Sequence, residues 1–268
     1  MASQEKVESA GQSTQNTQYD QIGTKYNAVK LLPAAEPEVP SVKAALGDIT
    51  GKTCLDLACG TGKFTALLAS LGAKSVHGYD ISSTMIDGAK ATYPASSNPK
   101  LTFAVADCSI PGSLRHDEKF DIVFAGWFLN YAGTETELTN MFRVIQTNLK
   151  EGGGKFVGIT TNVSDPRMRE HKPNWYGLDV VVLDPSYVAP DSKKEVGIKA
   201  RVVVNGDTPF HFDVFQFRKD VYERCAAEAG LQLRWKDLVF PDDERKESGY
   251  WDDFAVSGTF VVVEAVRI

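Results

Sequence analysis

The sequence predicts an α/β fold in which a mostly parallel sheet is covered by helices on both faces. Between residues 53 and 161, short apolar runs alternate with longer amphipathic runs, which is typical of repeated strand-helix-strand units. A glycine-containing loop follows the first apolar run, and a helix with two further apolar runs closes the chain after residue 218. We therefore expect a doubly wound sheet of seven strands.

The expected elements follow from apolar periodicity and from the residues that end each run. The expected strands are Thr53–Leu57, Ser75–Asp80, Leu101–Ala106, Phe120–Ala125, Lys155–Thr160, Leu231–Phe240 and Gly258–Val266. The expected helices of the core are Phe64–Leu71, Ser83–Tyr93, Thr136–Leu149 and Arg218–Ala229. Gly152, shortly after the third of these helices, and Gly230, directly after the fourth, favour their termination, because glycine readily adopts the left-handed conformation of a helix end.

Two N-terminal segments precede this core. Residues 1–16 are rich in Gln, Ser, Glu and Thr, so we expect a disordered tail that buries too little apolar surface to offset its ordering entropy. Between Tyr19 and Lys30, apolar residues recur at helical spacing. This spacing predicts a lid helix over residues 18–30.

The segment 163–217 interrupts the alternating pattern and predicts an inserted cap. Asn162–Pro190 is too polar and too rich in proline to continue a sheet. Asn205-Gly206-Asp207 favours a hairpin between the β-rich runs on either side, since Asn-Gly adopts the positive φ angles of a type I′ turn. We expect a single domain over 17–268, with its core at 45–162 and 218–268.

Composition excludes several classes of function. A net charge of −6 without a basic stripe disfavours nucleic-acid binding, which needs lysines and arginines against phosphates. The apolar runs are far shorter than the roughly 20 residues that span a bilayer. The four cysteines form no C-x-x-C pair, so we expect a reducing, cytoplasmic setting and no metal site.

The loop after the first strand carries the strongest functional signal. The apolar strand ends near Asp56, a turn with Gly60 and Gly62 follows, and a helix begins near Lys63. Glycines let the backbone approach a ligand closely beside free helix N–H groups. The second strand ends in Asp80, where a carboxylate can bind both hydroxyls of a ribose. Together they predict a site for an adenosine-type ligand.

With these motifs the chain resembles the class I S-adenosylmethionine-dependent methyltransferases, which have a Rossmann-like fold. The resemblance covers about residues 18–162. It rests on Leu55-Asp-Leu-Ala-Cys-Gly-Thr-Gly62, Gly78-Tyr-Asp-Ile-Ser82 with Met85, and Ala106-Asp-Cys108. Two further stretches, Tyr19-Asp-x-Ile-Gly-x-x-Tyr26 and Trp127-Phe-Leu-Asn-Tyr-Ala132, resemble the small-molecule branch that includes toxoflavin-type N-methyltransferases.

The resemblance implies a set of cofactor-binding residues for S-adenosylmethionine. Asp56, Ala58, Gly60 and Gly62 would hold its methionine part, with Phe124 and Ala125 beside it. The remaining residues implied for the ribose, the adenine and the lid over them are Asp80, Ile81, Met85, Asp107, Cys108, Tyr19 and Tyr26. Ala58 stands where the family usually has glycine.

The acceptor site is predicted from the residues after the fourth strand and in the cap. The expected substrate-binding residues are Trp127, Asn130, Tyr131, Trp175 and Tyr176. His211 alternates with aromatic residues and is the best candidate for a base towards a hydroxyl acceptor, although a histidine hydrogen-bonded in or near the sheet surface is the favoured interpretation.

These expectations describe an enzyme of secondary metabolism that methylates a nitrogen or oxygen of a small molecule, as a monomer or homodimer. Two alternatives remain open. A nicotinamide-dependent oxidoreductase would share Gly60, Gly62 and Asp80, although the third glycine of its fingerprint is replaced by Thr65. A cofactor-binding protein that transfers no methyl group would retain the same residues.

Overall fold

The computed structural model describes residues 18–114, 116, 118–206 and 209–268, and these residues contain a large, mostly parallel sheet. Its strands are β1 (Thr53–Leu57), β2 (Ser75–Asp80), β3 (Leu101–Val105), β4 (Ile122–Gly126), β5 (Lys155–Thr161), β10 (Leu231–Lys236) and β11 (Phe260–Arg267). The spatial order is β10-β11-β5-β4-β1-β2-β3. β1 to β5 are parallel, whereas β11 is antiparallel to both β5 and β10. The expected seven-stranded α/β fold is confirmed.

Helices cover both faces of this sheet. They are α1 (Gln18–Ile22), α2 (Glu38–Leu46), α3 (Lys63–Ser70), α4 (Ser83–Thr92), α5 (Glu135–Asn148), α6 (Lys219–Glu228) and α7 (Asp252–Ser257). Three 3-10 segments join them, at Gly23–Leu31, Pro33–Ala35 and Leu129–Tyr131. Side chains at the helix starts stabilise two of them: Ser82 Oγ accepts from Met85 N at 3.3 Å and Thr134 Oγ1 accepts from Glu137 N at 3.0 Å.

Strand β4 shows how the sheet supplies two cores. Successive side chains of a strand point to opposite faces. Val123 belongs to the cluster that contains Phe142 and Tyr222, whereas the next residue, Phe124, belongs to the cluster that contains Leu68. All of these side chains are buried, so the sheet is covered on both faces, as parallel sheets are.

A second sheet forms from the segment expected to be a cap. Its strands are β6 (Lys172–Trp175), β7 (Leu178–Val188), β8 (Glu195–Val204) and β9 (Phe210–Phe217), all paired antiparallel in chain order. The expectation that residues 162–190 are too broken for a sheet is wrong. Register shifts around Asp184 accommodate Pro185, so a bulged strand replaces the expected irregular loop.

The hairpin between β8 and β9 is confirmed, because the two strands pair antiparallel and Val204 lies opposite Phe210. Asp207 lies outside the described residues.

The helices near the N-terminus differ from those expected from the sequence. The expected lid helix is α1 followed by the 3-10 segment Gly23–Leu31. Helix α2 was not expected, because Pro37 and Pro40 conceal its periodicity, yet proline is tolerated in a first helical turn. The predicted tail, residues 1–16, lies outside the described residues.

Among the described residues, no helix combines the length and the apolar character that crossing a membrane requires. All four cysteines are buried free thiols.

We predict that Asp121 makes the sheet sensitive to acid. Thr53 N and Thr53 Oγ1 donate to Asp121 Oδ2 at 2.8 and 2.9 Å, and Lys150 Nζ lies 3.0 Å away. Burial raises the pKa of Asp121, but these hydrogen bonds outweigh it and hold the pKa at about 2. A depressed carboxyl pKa stabilises the fold above the unfolded value of ~3.9 and loses that effect as pH falls towards the folded value.

Asp121→Asn should therefore lower the free energy of unfolding at pH near 7 and flatten its decline in acid, measured by urea unfolding across the pH range. Asp237→Asn, at an exposed residue after β10, is the matched control and should leave the curve unchanged. An unaltered acid decline in Asp121→Asn would contradict the assignment.

Candidate functional site

The strand order reverses between β1 and β4, and the loops at their carboxyl ends open around a crevice. Sheets of this type bind ligands at such a crevice. The loop after β1 contains three residues in the left-handed region: Ala58 (φ 54°), Gly60 (φ 54°) and Gly62 (φ 85°). A Cβ on Gly60 would meet no atom within 4 Å, whereas one on Gly62 would press on the Tyr93 ring at 3.0 Å. Gly60 therefore faces open space, while Gly62 is required by close packing.

Asp80 fixes this loop against the loop after β2. Its Oδ2 accepts from Gly60 N at 2.8 Å and its Oδ1 accepts from Ser82 N at 2.9 Å. The side chain is only 8% exposed, and burial raises its pKa while the two backbone bonds act in the opposite direction. The carboxylate also lines the cavity, so it is held rigidly at the position expected for a ribose-binding acid.

A cavity of about 680 Å³ adjoins Asp80. Most of the residues expected to bind the cofactor line it: Tyr19, Tyr26, Ala58, Gly60, Asp80, Ile81, Met85, Asp107 and Cys108. Trp127 and Tyr131, expected at the acceptor site, line it as well. Met85 is buried, and Ile81 is 40% exposed, so an apolar pair is available for a flat ring beyond the carboxylate.

The lid segment is attached to the core by polar contacts on several sides of the cavity. Ser82 Oγ donates to Asp20 Oδ1 at 2.5 Å, and Asp213 N donates to Gln18 Oε1 at 2.7 Å. Tyr19 bonds to Tyr131 through their hydroxyl groups, and its ring lies 5.2 Å from that of Tyr26. The lid is thereby joined to the cofactor loops and to the second sheet at once.

Asp56 and Lys30 lie at the other end of the β1 loop. Thr65 Oγ1 donates to Asp56 Oδ2 at 2.6 Å, and burial raises the pKa of Asp56 to about 7. Lys30 Nζ donates to Thr61 Oγ1 at 2.6 Å, and burial lowers the pKa of Lys30 to about 8. Both line a cavity with Gly60 and Lys63. Sequence reasoning missed Lys30, because nothing distinguishes it among 29 basic residues.

A second cavity of about 720 Å³ lies beneath the antiparallel sheet. Its walls are mostly apolar and include Val180, Val202, Phe212 and Val214. Tyr26 and Trp127 line both this cavity and the one beside Asp80. The two spaces therefore adjoin each other at these two aromatic side chains.

The remaining predicted residues do not line these cavities. Phe124, Ala125 and Asn130 are buried, and Gly62 caps α3. Trp175 and Tyr176 border a separate surface depression with Pro33 and Tyr250. None of these six predicted residues lines the cavities described above.

His211 lies on β9 but faces away from the cavity beneath the antiparallel sheet. Phe212 and Val214 line that cavity, and the alternation of side chains directs His211 to the other face, where it is exposed. The sequence pattern identified the strand correctly but could not determine which alternate residues face inward.

Residues 54–153, less than half of the chain, match a family model described as a methyltransferase domain. This match spans the β1 loop, Asp80 and the loop after β4. This part of the chain is a methyltransferase domain. The expected methyltransferase assignment and its cofactor, S-adenosylmethionine, are confirmed at this level, and the match is to methyltransferases rather than to oxidoreductases.

Named relatives agree with this domain. Over 120 residues the chain is 33% identical to "Phosphoethanolamine N-methyltransferase 1" from Triticum aestivum, covering 45% of this chain and 24% of that protein. Over 121 residues it is 34% identical to "Demethylmenaquinone methyltransferase" from Lactococcus lactis subsp. lactis, covering 44% of this chain and 45% of that protein. The chain thus spans less than half the length of these two relatives.

A solved structure shares the fold over most of the chain. An S-adenosylmethionine-dependent methyltransferase from Mesorhizobium loti superposes with a TM-score of 0.61 at 18% identity, covering 86% of this chain and 98% of that one.

The described residues fit the cofactor. A rigid carboxylate at Asp80, an open approach at Gly60 and the apolar pair Ile81 and Met85 match a ribose, a linker and an adenine, respectively. Lys30 adds a half-buried cation that donates its hydrogen bond to the uncharged hydroxyl group of Thr61. An amino-acid carboxylate would pair with this cation.

We predict that Lys30 binds the cofactor carboxylate. Lys30→Met should weaken S-adenosylhomocysteine binding about tenfold or more, since a charge-assisted hydrogen bond is lost. Wild-type affinity should fall as pH rises through about 8, where the free lysine loses its proton, and the variant should lack this dependence. Isothermal titration measures both.

Two controls isolate the effect. Methylthioadenosine, which has no carboxylate, should bind wild type and Lys30→Met equally. Lys25→Met, an exposed lysine of the same segment, should bind S-adenosylhomocysteine normally. Equal affinity of wild type and Lys30→Met would contradict the prediction.

Proposed function

We propose that this protein transfers the methyl group of S-adenosylmethionine to a nitrogen or oxygen atom of a small molecule. The observation that carries the proposal is the junction of two cavities at Tyr26 and Trp127. One cavity contains the expected cofactor residues, and the other is a mostly apolar space beneath the antiparallel sheet. A methyl donor in the first would face an acceptor in the second.

Within the first cavity, each polar group has a distinct part of the cofactor to bind. Asp80 would accept hydrogen bonds from the ribose hydroxyls, and Asp107 would accept one from the adenine amino group. Ile81 and Met85 would contact the faces of the adenine. Lys30 would pair with the carboxylate, next to the backbone of Gly60.

When bound, S-adenosylmethionine would supply a methyl group activated by its sulfonium, with sulfur keeping the electron pair of the S–CH₃ bond. The protein's part is to orient the acceptor and to exclude water. The lid contributes side chains to both cavities. Tyr19 and Tyr26 line the cofactor cavity, and Tyr26 also lines the acceptor cavity.

A small acceptor is favoured over a macromolecule. The lid is bonded to the core at Ser82, Thr61 and Asp213, and the antiparallel sheet covers the acceptor cavity. A protein side chain or a nucleotide base in a polymer would have to displace one of them. The resemblance to toxoflavin-type N-methyltransferases and the name of the wheat relative support a small acceptor.

We predict that Asp80→Asn lowers the affinity for S-adenosylhomocysteine by about 1–3 kcal/mol, because the ribose hydroxyls lose a charged acceptor. Asp87→Asn, on the exposed face of α4, is the control and should bind normally. Isothermal titration of both variants, with NADH as a second ligand, tests the assignment. Unchanged affinity in Asp80→Asn, or binding of NADH alone, would contradict it.

Turnover is tested with S-adenosylmethionine and a panel of amines, phenols and heteroaromatic compounds. We expect S-adenosylhomocysteine to accumulate with one class of acceptor and the product to gain the mass of one methylene unit. Binding of S-adenosylhomocysteine without product from any class would favour the alternative of a cofactor-binding protein that transfers no methyl group.

A further inference from the structure

A buried carboxylate stands where the acceptor cavity meets the cofactor end of the site. Glu38 begins α2 and is 4% exposed. It lines the acceptor cavity and also the cavity that contains Lys30 and Gly60. Neither the sequence patterns nor the comparisons assign it a role.

Each oxygen of Glu38 is held by one donor. Trp127 Nε1 donates to Oε1 at 2.8 Å, and Lys63 Nζ lies 2.5 Å from Oε2. Two carboxylate oxygens offer about four acceptor positions in all. The carboxylate is therefore fixed in place with capacity for a further donor from the cavity.

The backbone at Trp127 is strained in a way that favours this arrangement. Trp127 has φ 62°, which is rare for a bulky side chain and typical of functional sites. Its backbone N donates to Ile159 O at 2.9 Å, and its ring packs 5.9 Å from that of Phe260. These contacts hold the indole N–H towards Glu38 at the junction of the cavities.

The two carboxylates that line the acceptor cavity differ in the partners that surround them. Asp165 is paired with Lys172, which lines the same cavity, and it also accepts from Ser257 Oγ and from Arg167 N. Glu38 is paired with Lys63, which lines the cofactor end but not the acceptor cavity. Glu38 is therefore the carboxylate whose counter-ion lies outside the acceptor cavity and leaves its remaining acceptor positions open to a donor there.

Aromatic rings complete this environment. Tyr26 lines both cavities, and its ring lies 5.8 Å from Phe212 and 5.2 Å from Tyr19. The charge of Glu38 is among the influences that raise the pKa of Tyr26, after burial and Tyr131, so the carboxylate and this aromatic group act in one small space. Aromatic faces attract ammonium groups, and a carboxylate beside them adds a charged acceptor.

We propose that Glu38 positions the acceptor, and that the acceptor is an amine on an apolar body. This inference rests on the proposed function and specifies its substrate class. Glu38 attracts the ammonium form and then accepts a hydrogen bond from the N–H of the neutral amine, whose surplus proton has passed to water. The bond fixes the direction of the nitrogen lone pair, and the apolar body occupies the space beneath β7, β8 and β9.

The test measures binding rather than turnover. Protein saturated with S-adenosylhomocysteine is titrated with phenethylamine, with the neutral phenethyl alcohol and with the anionic hydrocinnamate, which share an apolar body. Wild type should bind the amine about tenfold or more tightly than the alcohol and should bind the anion most weakly.

Glu38→Gln should lose the preference for the amine while its affinity for the alcohol is unchanged. Glu38→Asp, which keeps the charge, should retain the preference. Glu36→Gln is the matched control, because Glu36 pairs with Arg245 outside both cavities and should bind all ligands as wild type does. If Glu38→Gln fails to fold, the order of affinities of the three ligands for wild type still tests whether the acceptor is an amine.

The inference fails if wild type binds the alcohol as tightly as the amine, or if Glu38→Gln keeps the full preference. The proposed function fails separately, by an absence of S-adenosylhomocysteine binding to wild type before any amine is added.

Discussion

The reversal of strand order between β1 and β4 is the constraint on which the other features of this protein depend. Helices on opposite faces draw the loops after these strands apart, and the crevice between them can be entered only at the carboxyl ends of the strands. Asp80 then joins two of those loops through the backbone N–H groups of Gly60 and Ser82. The same carboxylate that stabilises the loops lines the cofactor cavity, so the site is preorganised by the bonds that hold the fold.

The second sheet converts an open crevice into a closed space. Alone, the parallel sheet would leave Trp127 and its neighbours facing solvent. The antiparallel strands β7, β8 and β9 cover the crevice with apolar side chains. The backbone N–H of Asp213 in this sheet donates a hydrogen bond to Gln18 of the lid. The lid, the second sheet and the loop after β4 therefore enclose the junction of the two cavities together. Tyr26 and Trp127 occupy that junction because each is held by a different one of these parts.

Prediction from sequence placed residues together where they come from short contiguous stretches. The β1 loop and the end of β2 line one cavity, as expected, because their glycines and acids are separated by a fixed number of residues. Prediction failed where it required a choice between the two faces of a strand, or where residues come together from segments distant in sequence. His211 and Phe212 are neighbours in sequence and both suit a pocket, but only the packing of the second sheet decides which of them faces inward.

The sequence by itself determined the α/β class, the order of the core strands and helices, and the cofactor loop, because periodicity and glycine placement are local properties. Only the tertiary structure decided the acceptor side of the site. Glu38, Lys63 and Trp127 come from three separate elements, and their hydrogen bonds depend on how α2 packs against β5 and β11. A buried carboxylate between two cavities has no signature in the chain, since its environment is created by side chains remote from it in sequence.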